Sequence, residues 1–94
     1  MDPTIPAPSL GSIVEVPQGR GVVRFSGPTS FSTGKWVGIE LYQPNGKNDG
    51  SVNGITYFTC KPNCGVFVRP TLIKATFGSE LDNVRRPYAS LRAV

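Results

Sequence analysis

Apolar and polar residues alternate in Ser12-Ile13-Val14-Glu15-Val16, after which Pro17-Gln18-Gly19-Arg20-Gly21 turns the chain into Val22-Val23-Arg24-Phe25. This pattern predicts two antiparallel strands joined by a turn. A loop of Ser, Thr, Gly and Pro follows over residues 26–34 and carries one large apolar residue, Phe31, which is out of place there unless it covers something. Lys35-Trp36-Val37-Gly38-Ile39-Glu40-Leu41 reads as a third strand. Side chains alternate across a strand, so Lys35, Val37, Ile39 and Leu41 share one face, and Trp36, Gly38 and Glu40 share the other.

Residues 42–54 form a long, sharply folded loop in which Asn45-Gly46, Asp49-Gly50 and Asn53-Gly54 each supply residues that accept positive φ. Ile55-Thr56-Tyr57-Phe58 and Gly65-Val66-Phe67-Val68-Arg69 are expected as short strands around the turn Cys60-Lys61-Pro62-Asn63-Cys64, with Leu72-Ile73-Lys74 closing the sheet. Several short strands at this spacing suggest a small antiparallel barrel, and hence an all-β fold. The expected organisation is a flexible Pro-rich lead-in over residues 1–9, one domain over 10–75, and a basic, loosely ordered tail over 76–94.

Composition sharpens this picture. With 94 residues there is room for one domain, and the 11 glycines and 9 prolines favour short strands and turns over long helices. A net charge of +4 and an isoelectric point near 9.4 favour acidic partners, whether nucleic acid, an anionic membrane or an acidic peptide. Cys60 and Cys64 are too few for a disulfide scaffold and too far apart for a redox CxxC, so a reducing, cytosolic setting is the simplest expectation. No secretion signal and no run of apolar residues long enough to span a membrane is visible.

Most catalytic chemistry is excluded. The chain has no histidine, so a Ser-His-Asp or Cys-His arrangement is impossible, and zinc would have to be held by two cysteines and carboxylates. The stretch from Gly27 to Lys35 has a superficial likeness to a phosphate-binding loop. Its glycines are too widely spaced, however, Trp36 stands where Ser or Thr must hold magnesium, and a strand follows where a helix is needed. Neither a catalytic site nor a cofactor is expected. What remains is Gly46-Lys47-Asn48-Asp49-Gly50, which could grip an anion through converging backbone N–H groups and the side chains of Lys47 and Asn48. On composition alone a merely solvated hairpin loop ranks ahead of that reading. Among the aromatics, Phe25, Phe58 and one face of Tyr57 are assigned to the core, Phe31 and Trp36 to an exposed groove, and Phe67 falls between the two.

Taken in order, Thr33-Gly34-Lys35-Trp36-Val37-Gly38, Gly46-Lys47-Asn48-Asp49-Gly50, Tyr57-Phe58-Thr59-Cys60 and Gly65-Val66-Phe67-Val68-Arg69 resemble a CAP-Gly domain over residues 11–74. The unbroken GKNDG reverses the ranking of the loop. The resemblance implies an SH3-like barrel with a glycine-rich loop and no enzymatic activity. Its implied ligands are acidic C-terminal tails ending in Glu-Glu-Tyr or Glu-Glu-Phe on α-tubulin and microtubules, end-binding proteins and CLIP-type linker proteins. Carried over by position, Gly46, Lys47, Asn48, Asp49 and Gly50 would hold the acidic groups and terminal carboxylate. Phe31, Trp36 and Phe67 would take the last ring, and Arg69, Arg85 and Arg86 would add positive charge. The location implied is cytoplasmic, on microtubules and their plus ends, in a parent protein made oligomeric by other regions. Two departures stand out: Thr56 replaces a basic residue common in the family, and Tyr42-Gln43 replace acidic ones.

Two rivals belong to other classes. A basic small barrel with exposed aromatics suits single-stranded nucleic acid, although the cations are scattered and form no stripe, so neither nucleic acid nor membrane is the expected partner. Alternatively, the aromatic face could be covered by a second copy of the domain or by the C-terminal tail.

Overall fold

A computed structural model describes residues 8–81. Strands β1 (Ser12–Val16), β2 (Gly19–Gly27), β3 (Trp36–Leu41), β4 (Ser51–Val52), β5 (Ile55–Thr56), β6 (Gly65–Val68) and β7 (Ala75–Ser79) follow one another, with a 3-10 turn at Pro70–Leu72 before β7. Five of them form one antiparallel sheet in the order β6-β3-β2-β1-β7, and β4 and β5 form a separate ribbon. The turn Pro17-Gln18 joins β1 to β2, with Val16 opposite Gly19. Asn53-Gly54, both at positive φ, joins β4 to β5.

One face of the sheet is aliphatic. Val14, Val16, Val23, Val37, Ile39, Leu41, Val66 and Val68 form a single cluster, each at most 3% exposed, with Ile73 packed against it. Burying such a side chain contributes about 1.5–3 kcal/mol. A five-stranded sheet can shield one face this fully only by curling over it, which gives the small SH3-like antiparallel barrel expected. The third strand splits as its period-two pattern requires: Val37, Ile39 and Leu41 point inward, whereas Trp36 and Glu40 are only half-buried.

The strand that closes the sheet lies further along than Leu72-Ile73-Lys74. Pro70 starts a 3-10 turn, and the edge strand on β1 is Ala75–Ser79. Glu80 extends this closure, because its carboxylate binds Arg24 at 2.6 and 3.2 Å and its N–H donates to the Gly11 carbonyl. Arg24 also donates to Glu40 at 2.8 Å, and these carboxylates, Glu80 foremost, raise its pKa. Residues 1–7 of the lead-in and residues 82–94 of the tail, including Arg85 and Arg86, lie outside the described residues.

Candidate functional site

Every described aromatic ring expected in the core lies outside it, and a single bulge explains the most instructive case. Strands β2 and β3 pair Val23 with Ile39, but the register then slips at Arg24 so that Phe25 faces Gly38. Without the slip, Phe25 would share Val23's inward face. One extra residue turns it to the opposite face, beside Phe67, which also faces Gly38 from β6. Phe58 and Tyr57 complete that outer cluster, so the core assignment of Phe25, Phe58 and Tyr57 is corrected.

Phe67 is the hub. Its ring centroid lies 5.2 Å from Phe31, 5.3 Å from Tyr57, 5.6 Å from Phe58 and 6.0 Å from Phe25, in tilted or edge-on geometries that aromatic quadrupoles favour. Phe31 reaches on to Trp36 at 5.2 Å. The floor beneath the rings is Gly38, where a Cβ would stand 2.6 Å from Phe58, 2.9 Å from Phe67 and 3.0 Å from Phe25. Glycine is required there so that the rings can approach the backbone.

Two polar ties hold Phe31's loop against this cluster. The Tyr57 hydroxyl accepts the Ser30 N–H at 3.0 Å and lies 3.0 Å from the Ser30 hydroxyl. The Arg69 guanidinium sits 4.0 Å over the Trp36 ring and donates to the carbonyls of Thr33 at 2.8 Å and Lys35 at 3.4 Å. Arg69, proposed from sequence as supplementary charge, is therefore also a structural strut of the loop.

The glycine-rich loop is built differently from the expected backbone cradle. Four of its five N–H groups are already engaged: Gly46 donates to the Asn63 carbonyl, Lys47 and Asn48 to the Gly65 carbonyl, and Gly50 to the Asn48 Oδ1 at 2.9 Å. Glycine is needed for close approach instead. A Cβ at Gly46 would strike the Gly65 carbonyl, and one at Gly50, where φ is +99°, would strike the Phe58 carbonyl. The exposed Asp49 carboxylate folds back on its own loop and accepts the Ser51 hydroxyl at 2.6 Å and the Ser51 N–H at 3.1 Å, bonds that lower its pKa. Two side-chain donors of the loop remain for a ligand, the Asn48 side-chain N–H group and the Lys47 ammonium, which is exposed and has no partner among the described residues.

These donors and the rings meet in one groove of about 290 Å³, lined by Gln18, Phe31, Trp36, Lys47, Asn48, Val52, Val66 and Phe67. Phe31, Trp36, Phe67, Lys47 and Asn48 come together there, while Asp49 and Gly50 act behind it as scaffold. Sequence reasoning missed Gln18, whose turn position carries no functional signal, and the small apolar wall of Val52 and Val66. The cysteines take no part: Cys64 is buried, and burial pushes the Cys60 thiol up to about 11, so it stays protonated at neutral pH. Among the described residues no cluster of Cys, Asp or Glu could hold a metal ion.

Comparison with known proteins matches residues 10–73 to the family model of the CAP-Gly domain. Kinesin-like protein KIF13B of Homo sapiens is 49% identical over 72 residues, covering 77% of this chain and 4% of that protein. Its solved CAP-Gly domain superposes with a TM-score of 0.69 at 42% identity, covering 79% of this chain and 78% of that one. Dynactin subunit 1 of Drosophila melanogaster is 55% identical over 62 residues, covering 63% of this chain and 5% of that protein. The chain thus spans about a twentieth of these relatives. CAP-Gly domain-containing linker protein 3 of Homo sapiens matches about as well, at 55% identity over 62 residues, covering 66% of this chain and 11% of that protein. A solved Bik1 CAP-Gly domain with an ETF peptide from Bim1 superposes with a TM-score of 0.63 at 32% identity, covering 72% of this chain and 89% of that one.

Proposed function

Because the chain belongs to the CAP-Gly domain family, a family of non-enzymatic binding domains, we propose that its groove captures acidic C-terminal tails ending in an aromatic residue. The tails are the EEY/F ends of α-tubulin, end-binding proteins and CLIP-type linker proteins, which places the parent protein in the cytoplasm on microtubules and their plus ends. The observation that carries this reading is the meeting of an aromatic recess with the Lys47 ammonium and the Asn48 amide in one groove. In this reading the terminal ring enters between Phe31, Trp36 and Phe67, and Lys47 and Asn48 bind the carboxylates. A desolvated aromatic anchor beside charge-assisted hydrogen bonds gives a small module both affinity and direction. The Bik1 domain, solved with an ETF peptide, supports the choice of a peptide ligand.

Calorimetric titration with an acidic peptide ending in Glu-Glu-Tyr tests the proposal. The expected affinity is near micromolar, roughly −8 kcal/mol, and amidating the terminal carboxylate weakens it at least about ten-fold. Equal binding of both peptides would refute carboxylate capture. Binding to single-stranded oligonucleotides that collapses with salt, without peptide binding, would support the nucleic-acid reading.

A further inference from the structure

Two polar atoms in the described structure are buried without a hydrogen-bond partner, Trp36 Nε1 and Gln18 Oε1, and both residues line the groove. An unpaired buried donor or acceptor is costly, and few survive in a folded domain unless something else satisfies them. Their chemistry is complementary: the indole N–H can only donate, and the amide oxygen can only accept. They come from different elements, Trp36 from the start of β3 and Gln18 from the β1–β2 turn, so the groove brings them together from two sides. The turn is tied to the glycine-rich loop, because the Gln18 carbonyl accepts the Asn45 side-chain N–H at 3.4 Å.

We propose that Gln18 is a binding residue of this groove, and that with Trp36 it reads the main chain of the bound tail: Gln18 Oε1 accepts a peptide N–H, and Trp36 Nε1 donates to a peptide carbonyl. An extended peptide offers a donor and an acceptor at every residue, whatever its side chains, and so matches a fixed donor–acceptor pair better than any single side chain of an acidic tail. The aromatic recess and Lys47 select the end of the chain, and Gln18 and Trp36 hold the peptide linkage behind it. The inference rests on the tail reading above. A tyrosine hydroxyl, which can also donate and accept, is the competing source of the same chemistry.

The test is a double-mutant cycle by calorimetry on the full chain and its Gln18→Met variant, which keeps the side-chain length and removes the amide. The ligands are an acidic peptide ending in Glu-Glu-Phe and its ester analogue, in which the last peptide N–H is replaced by oxygen. The unsubstituted protein is expected to bind the ester about five- to ten-fold more weakly. Gln18→Met is expected to bind both peptides equally, at the weaker level, while its unfolding midpoint stays the same or rises because an unsatisfied buried acceptor is gone. If the variant still discriminates the ester by the full factor, the N–H is read elsewhere and the proposal fails. It also fails if a Glu-Glu-Tyr peptide outbinds Glu-Glu-Phe and that preference disappears in Gln18→Met, which would assign Gln18 to the phenol. If neither peptide binds the unsubstituted protein, the tail reading itself is overturned, and this inference with it.

Discussion

Replacing Gly38 by alanine adds one methyl group at the point where the outer face of the sheet carries its rings. The new carbon would stand 2.6 Å from Phe58, 2.9 Å from Phe67 and 3.0 Å from Phe25, all inside the 3.4 Å at which ordinary van der Waals contact begins. The rings cannot yield independently, since Phe67 is wedged between Phe31, Tyr57 and Phe58, and Phe25 is fixed by the bulge at Arg24. Overpacking of this kind costs about 1–3 kcal/mol. In a domain of this size each kilocalorie lowers the melting temperature by roughly 4–8 °C. Urea and thermal denaturation should therefore show a clear loss of stability. Calorimetry should show weaker tail binding in the same variant, because Phe67 belongs to both the cluster and the groove. A Gly38→Ala protein with an unchanged midpoint and unchanged affinity would refute the idea that the rings rest on a bare backbone floor.

Further outcomes follow from the same geometry. Lys47→Ala, at an exposed ammonium with no partner among the described residues, should weaken tail binding about ten-fold with no change in denaturation midpoint. Asn48→Ala should lower both affinity and stability, because its Oδ1 also accepts the Gly50 N–H. Tyr57→Phe removes the hydroxyl that holds Ser30 and should destabilise the domain by about 0.5–1.5 kcal/mol in urea titration, with weaker binding as Phe31's loop loosens. Asp49 has a carboxylate pKa below its ordinary 3.8 because Ser51 bonds its charged form. Its contribution is therefore complete above the unfolded value and lost as pH falls below 3.8 through the folded one, and Asp49→Asn should flatten that acid limb of the stability profile.

The aliphatic half of the fold was legible in the sequence because the period-two pattern of β3 puts Val37, Ile39 and Leu41 on one face, and Val14 and Val16 share one face of β1, while the GKNDG loop stood out because no other segment combines those residues. Phe25 was misplaced for a definite reason: a bulge resets the period-two pattern, and nothing in Val22-Val23-Arg24-Phe25 marks where the extra residue will fall. The closing strand was misplaced because Leu72-Ile73-Lys74 is apolar enough for a strand, whereas Pro70 starts a 3-10 turn and hands the pairing to Ala75–Ser79. The mechanism of the glycine-rich loop was hidden for another reason. Glycine permits both converging amides and close backbone contact, and only the partners of Gly46, Lys47 and Gly50 show that close contact is its role here. Gln18 was invisible because a polar residue in a turn is ordinarily solvated, and its burial is a product of the tertiary fold.

The chain has a single tryptophan, so its indole N–H gives one resolved resonance at the wall of the groove. The most direct measurement is to follow that signal, and the backbone amides of residues 46–50 and 67, in 1H–15N spectra while adding an acidic peptide that ends in Glu-Glu-Tyr. The account predicts saturable shifts of the Trp36 indole and of these amides together, and their absence when the peptide lacks its final aromatic residue. Saturable binding that leaves the indole unmoved and shifts residues around Arg24 and Lys61 on another part of the surface would contradict it.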